Sequence, residues 1–326
     1  MMTSFFQYTP NAPPDHPVVN SLAERLRNLS PDAMEAARLF PMRLPRALAK
    51  QIPWEHPNHP MAKEFFPDDA ELAHPPGYST DPLHEQNLEV IPGLIHKYSG
   101  RVLLRVTTNC AVHCRFCFRR HAPRENIPVT FREWTPALTM IAQDVSLREV
   151  IFSGGDPLTL TDRRLSLLAH RLAEIPHLER LRIHTRMVVM VPERITHAFL
   201  NWLTATRLTP IVVIHVNHAE ELNQAALAAV ERLTKAGIPL LNQSVLLKGI
   251  NDTPETLVTL CETLVNAKII PYYLHMLDPV LGAAHFHVEE SIALNLMEEL
   301  RSRLPGYAVP RLVRDTPGAA SKQMLW

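Results

Sequence analysis

From about residue 100 onward, six short β-branched runs alternate with amphipathic stretches, and this alternation restricts the fold more than any other feature of the chain. The runs are Val102–Thr107 (VLLRVT), Glu149–Gly154 (EVIFSG), Arg180–Thr185 (RLRIHT), Pro210–Val216 (PIVVIHV), Pro239–Leu247 (PLLNQSVLL) and Ile270–Met276 (IPYYLHM). Helix-like segments lie between them at Asp162–Glu174, Pro192–Ala205, Ala219–Lys235 and Pro254–Asn266. In Ala219–Lys235, Leu222, Ala225, Ala226, Ala229, Val230 and Leu233 recur at helical spacing. Parallel strands need crossover connections, so successive βα units imply an α/β fold with a parallel sheet and outer helices. A doubly wound sheet satisfies the same periodicity. The polar residues decide for a partial (β/α)6 barrel, because the runs end in Cys110, Gly154-Gly155-Asp156, His184, Asn217-His218, Gln243 and Asp278. Strand C-termini that converge on one site are the barrel arrangement.

Ahead of this body, PNAPPDHP, PWEHPNHP and HPPGYSTDP hold many of the 29 prolines. Ser30-Pro31 offers an N-cap and a first-turn proline ahead of DAMEAARLF, and a second short helix is predicted over Leu44–Gln51. The Leu, Phe, Trp and Met of this region need burial, so residues 1–95 read as a helical extension packed on the barrel. The barrel then takes residues 96–306, and a C-terminal segment, 307–326, closes over the site. Thirty-three basic residues balance 33 acidic ones, which argues against nucleic acid or a membrane surface as a partner. No run of about 18 apolar residues exists. MMTSFFQYTPNAPPDHP lacks the basic and apolar regions of a secretory signal, so a cytoplasmic location is expected.

Three of the four cysteines fall within TNCAVHCRFCFRRH, residues 108–121, as Cys110, Cys114 and Cys117. Three thiolates in a CxxxCxxC loop can hold three irons of a [4Fe–4S] cluster and leave the fourth open. An open metal position is reactive, as on catalytic zinc. The competing reading is structural zinc, which wants four ligands. His113 is adjacent in sequence to Cys114, and the chain offers no distant CxxC pair. Cys261, inside LVTLCETLV, reads as a buried core thiol.

The cysteine loop resembles that of the radical S-adenosylmethionine superfamily. The resemblance implies a partial TIM-like barrel of that type and an open iron chelated by S-adenosylmethionine, whose reductive cleavage gives a 5′-deoxyadenosyl radical. Ser153, Gly154, Gly155 and Asp156 resemble the glycine-rich acidic motif that meets the methionyl ammonium. Further motifs (RVLLRVTTNCAVHCRFCFRRH, IFSGGDPL, VNHAEE, LNQSVLLKGIND, PYYLHMLDPVLGAAHF and RDTPGAASK) resemble the lysine 2,3-aminomutase family across roughly residues 100 to 322. YSTDPL and NQSVLL look closest to the bacterial branch that makes (R)-β-lysine for elongation factor P.

That family also uses pyridoxal 5′-phosphate, so the resemblance requires a Schiff-base lysine. Of seven lysines, Lys322 in GAASK matches the family motif, although a lysine so near a chain end is ordinarily a frayed surface group. Ala319 and Ala320 stand where the family commonly has glycines. Lys248 is the runner-up. Lys97 and Arg101 match positions associated with the cofactor phosphate, and Gln243 is a further expected cofactor contact. Arg119 matches the arginine that binds the substrate carboxylate, a task suited to a guanidinium fork. Asp278 and Asp315 match the carboxylates that hold the ε-ammonium and disfavour glutamate. Arg120 and His121 read as surface or supporting groups. The implied reaction converts L-α-lysine to (R)-β-lysine, with a flavodoxin or ferredoxin as electron donor and an elongation factor P lysyl ligase using the product. Alternatives are an aminomutase for another amino acid or a free lysine pool, a non-catalytic metal protein, and a cluster enzyme without pyridoxal.

Overall fold

The computed structural model describes residues 5–8, 20–123, 125 and 127–326. The PNAPPDHP stretch lies outside them. Strands β1 (Phe5–Tyr8) and β2 (Met42–Pro45) form a small antiparallel pair. The main sheet has ten strands: β3 (Glu89–Ile91), β4 (Leu94–Tyr98), β5 (Arg101–Thr107), β6 (Glu149–Gly154), β7 (Arg180–Thr185), β8 (Thr209–Ile214), β9 (Leu240–Val245), β10 (Ile270–His275), β11 (Arg311–Arg314) and β12 (Gln323–Met324). The six predicted runs fall on β5 to β10, which pair in parallel and in sequence order. Unbroken order is the winding of a barrel; a doubly wound sheet reverses part-way. Parallel β11 and antiparallel β12 extend one edge, and antiparallel β4 and β3 the other.

The sheet curls until its ends approach. Asp315, just past β11, accepts a hydrogen bond from Tyr98 Oη of β4 at 2.7 Å and pairs with Lys97 of the same strand. Side-chain alternation assigns the two faces. Leu103, Ile151, Ser153, Arg182, His184, Ile211, Leu241, Gln243, Tyr273 and His275 line an interior cavity. Their neighbours Leu104, Val150, Phe152, Ile183, Val212 and Leu274 are buried in the hydrophobic core. RLRIHT therefore turns Arg182 and His184 inward.

Several helices begin at side-chain caps. Ser30 Oγ accepts from Ala33 N at 3.0 Å and starts Pro31–Leu39, as the Ser-Pro pair predicts. Thr253 caps Pro254–Asn266, which buries Cys261. Two predicted helices are shorter than periodicity suggested. Within Ala219–Lys235, Asn223 caps a helix that starts only at Gln224, after a 3₁₀ turn. Within Pro192–Ala205, Thr196 caps His197–Thr204. The helix predicted over Leu44–Gln51 is replaced by β2 and a helix of only Arg46–Ala49. Leu44 is buried within β2, and Pro45 marks the strand-to-helix switch. The N-terminal extension shares the barrel's core: Met42, Leu44, Trp54 and Phe65 belong to one buried cluster with Leu104 and Phe152. Among the described residues no helix is long and apolar enough to cross a membrane.

Candidate active site

A cavity of about 820 Å³ occupies the C-terminal mouth of the barrel. Cys110, Cys114, Cys117, Arg119, Ser153, Gly154, Gly155, Asp156, Gln243, Asp278, Asp315, Lys97, Arg101 and Lys322 all line it. Lys248, the alternative lysine, does not.

The cysteine loop leaves β5 and rests on the N-terminal extension. His113 N donates to Arg43 O at 3.1 Å, its Nδ1 meets Pro41 O at 2.6 Å, and its ring stacks on Phe40. Arg115 N donates to Glu64 O at 2.8 Å. The Arg115 side chain is wholly buried: Nε and Nη2 grip Glu71 at 2.8 and 2.5 Å, and Nη1 donates to Phe40 O at 2.6 Å. Arg120 is buried too, bonded to Glu71, Arg115 O and Gly282 O, so it is a brace and not a surface group. His121 reaches Leu281 O across the exposed rim.

Three free thiols thus stand on a rigid loop. Burial raises all three, pushing Cys114 up to about 12 against the opposing pull of Arg186. Metal binding to such thiols displaces their protons. Among the described residues no three His, Cys, Asp or Glu side chains converge to hold one ion. The loop chemistry fits a cluster with one iron left open.

Gly154 and Gly155 pack against this loop. A Cβ on Gly154, at φ +112°, would lie 2.4 Å from Thr107 O, and one on Gly155 would lie 2.3 Å from Asn109 O. Gly155 N and Asp156 N donate to those carbonyls at 2.7 and 2.8 Å. The glycines therefore serve close approach of two backbones. Gly155→Ala is expected to cost about 1–3 kcal/mol of stability and to lower bound iron, read by thermal melting and iron assay. An unchanged melt with full iron would contradict this packing.

Asp156, expected to meet a ligand's ammonium, is otherwise engaged. Its oxygens accept from Leu158 N, Thr185 Oγ1, Arg186 N and Met187 N at 2.7–3.2 Å. Burial raises this carboxyl while those donors oppose the rise. The group ties the end of β6 to the end of β7.

Arg119 is likewise committed. Glu85 takes its Nε and Nη2 at 2.7 and 2.6 Å, and Nη1 donates to Ser153 Oγ and Gly154 O at 3.1 and 3.2 Å. An incoming carboxylate finds one Nη2 N–H, or exchanges with Glu85. Sequence reading missed Glu85, which lies in the predicted extension 34 residues before its partner.

Asp315 organises the opposite wall. Its oxygens meet Lys322 Nζ at 2.5 Å, Tyr98 Oη at 2.7 Å and Lys97 Nζ. Burial opposes ionisation, but these donors hold Asp315 well below the usual carboxylate range. Lys97 is thus ion-paired with Asp315, contrary to a free phosphate donor. Lys97 and Arg101 still flank the Tyr98 ring, 5.3 and 4.7 Å from its centroid. Among the described residues Asp278 has no side-chain hydrogen-bond or ion-pair partner: burial, then the nearby Asp315 charge, pushes it up to about 7. An unpaired carboxylate beside a second one suits a cationic ligand. His184, His215 and His275 complete the lining. Burial keeps all three neutral, with His215 lowered to about 4.

Comparison with known proteins agrees with this geometry. The family model described as the radical SAM superfamily matches residues 104–261. The chain is 43% identical over 315 residues to the L-lysine 2,3-aminomutase of Escherichia coli (strain K12), covering 94% of this chain and 92% of that protein. It is 42% identical over 301 residues to the L-lysine 2,3-aminomutase of Haemophilus influenzae, covering 91% and 89%. In fold it is similar to Streptococcus suis SuiB bound to S-adenosylmethionine, with a TM-score of 0.50 at 14% identity over 67% of this chain and 51% of that one.

Proposed function

Because this chain belongs to the lysine 2,3-aminomutase family of radical S-adenosylmethionine enzymes, we propose that it converts L-α-lysine to (R)-β-lysine in the cytoplasm. In this reading the product serves a lysyl ligase that modifies elongation factor P, and a flavodoxin or ferredoxin supplies electrons. A [4Fe–4S] cluster, S-adenosylmethionine and pyridoxal 5′-phosphate are its cofactors. When bound, they supply a hydrogen-abstracting radical and a conjugated ring through which an amino group can migrate.

What this chain contributes is position. The N-terminal extension braces the cysteine loop through Phe40, Pro41, Arg43, Glu64 and Glu71, the barrel strands carry the cavity, and the segment after β11 brings Lys322 over the mouth. Cys110, Cys114 and Cys117 hold the irons. Ser153, Gly154, Gly155 and Gln243 border S-adenosylmethionine, with Asp156 fixing the strand ends beside it. Lys322 tethers pyridoxal; Arg101, and Lys97 once it leaves Asp315, face the phosphate. Arg119 orients the substrate carboxylate, while Asp278 and Asp315 receive the ε-ammonium. The enclosing barrel keeps water and stray C–H bonds from the radical.

The observation that carries this reading is the acidic pair Asp278 and Asp315 lining one cavity with Lys322 and the three thiols. Two carboxylates at the far end select a side chain ending in a cation. The test is anaerobic reconstitution with iron and sulfide, incubation with each candidate amino acid, and chiral product analysis. (R)-β-Lysine from L-lysine alone is expected. A β-amino acid made only from glutamate would replace lysine as the substrate, and no product from any would overturn the reading. The mass of elongation factor P from cells lacking this chain tests the pathway: the β-lysyl increment should vanish.

A further inference from the structure

Arg186, the residue directly after β7, reaches the cysteine loop from beneath. Its Nη1 donates to Cys114 Sγ at 2.8 Å, and its Nη2 donates to Glu221 Oε2 at 2.7 Å and to Glu64. Glu64 is 0% exposed, Glu221 1% and Arg186 7%, so water screens none of these charges. Every member is anchored. Arg186 N donates to Asp156 Oδ2 at 2.7 Å. Glu221 Oε1 accepts from Asn217 N and His218 N at 2.6 and 3.0 Å. Glu64 stands on the short helix Pro60–Phe65 of the N-terminal extension, and its carbonyl holds Arg115 N of the cysteine loop. The guanidinium cannot swing away from the sulfur.

A hydrogen bond and a fixed cation at a ligand sulfur stabilise added negative charge on a cluster, and thereby raise its reduction potential. Carboxylates at the same range act in the opposite sense. Here one cation touches the sulfur and two carboxyl groups stand directly behind it. Burial pushes Glu64 up to about 8 against the pull of Arg186, so the offset to the guanidinium rests on Glu221, while Glu64 serves to fix the guanidinium in place. A cluster that must reduce a sulfonium needs this combination, because an uncompensated cation would weaken it as a reductant.

We propose that Arg186 is a positioning residue that sets the reduction potential of the cluster through Cys114, with Glu221 tempering its charge. The inference rests on the assignment of Cys114 as an iron ligand. Its test uses the full chain reconstituted anaerobically, titrated with dithionite as the one-electron source and followed by the paramagnetic signal of the reduced cluster. Iron and sulfide are assayed on each sample. Arg186→Gln should shift the midpoint to more negative potential and Glu221→Gln to more positive potential, each with wild-type iron and sulfide. A midpoint that stays put or moves the other way in either loaded variant overturns the proposal and leaves the enzyme assignment standing. If Arg186→Gln does not retain its cluster, Glu221→Gln decides alone by the same criterion. Wild-type protein that takes up no iron and sulfide overturns the reading beneath and this proposal with it.

Discussion

Lys322→Ala is expected to abolish turnover while leaving a folded protein that still binds iron and sulfide. The side chain hangs near the chain terminus, and its one described partner, Asp315, keeps Lys97 and Tyr98 when Lys322 is gone. The fold therefore has little reason to fail. Chemistry has every reason to, because no other lysine combines a place in the cavity with freedom from the sheet. Lys97 is the other lysine of the lining, and it lies within β4. Lys248 lies outside the lining, and its backbone is tied to Phe286 O at 2.9 Å. Borohydride reduction of the pyridoxal-loaded protein, followed by peptide mass mapping, should mark Lys322 in the wild type and nothing in the variant. A mark on Lys97 in the wild type, or a variant with full turnover, would remove Lys322 from its role. Asp315 holds the Lys322 ammonium until that amine is consumed, so Asp315 becomes more open to a substrate ammonium once pyridoxal is in place.

The central strands were legible because period-2 patterning is local. EVIFSG and RLRIHT coincide with β6 and β7 residue for residue, and their inward polar positions reach the cavity. The edges were not legible. β3, β11 and β12 span only two to four residues, too short for a period to register. The helix predicted over Leu44–Gln51 failed because pairing of β2 with β1, a long-range contact, overrides local propensity. The same limit applies to the site. Spacing points to the cysteines, and resemblance to Lys322, Arg119, Asp278 and Asp315. Nothing local announces that Glu85 will occupy Arg119, that Glu71 will seat Arg115 and Arg120, or that Glu64 and Glu221 will meet at Arg186. These partners lie 34, 44, 49, 122 and 35 residues apart. A buried arginine must find carboxylates, but the sequence does not say which. Asp156 is the instructive case: its acidic motif reads as a ligand contact, yet the folded chain spends both oxygens on its own backbone and Thr185.

Asp278→Asn is expected to weaken lysine binding by about 2–5 kcal/mol, roughly two and a half orders of magnitude in KM at the middle of that range. Asp278 is the carboxylate with no internal partner, so the variant removes charge without orphaning a donor in the protein. The pH dependence separates a binding role from a structural one. Burial and the adjacent Asp315 push Asp278 up to about 7, so in the ligand-free protein it is neutral below that pH and anionic above it. Only the anion attracts an ammonium. In the pyridoxal-loaded enzyme the Lys322 ammonium no longer lowers Asp278, so the profile of kcat/KM for lysine should fall as pH drops through about 7 or somewhat above, and this acidic limb should be absent in Asp278→Asn. Asp315 keeps Lys97 and Tyr98 as donors after Lys322 is taken up by pyridoxal, so it stays ionised throughout that range and contributes no limb of its own. Once lysine is bound, its ε-ammonium stabilises the Asp278 anion, so the limb in kcat should move to lower pH than the limb in kcat/KM. Coincident limbs, or a variant that keeps the acidic fall, would show that Asp278 does not meet the substrate's charge. The selectivity of the site would then rest on Asp315 alone, a carboxylate already shared among two lysines and a tyrosine.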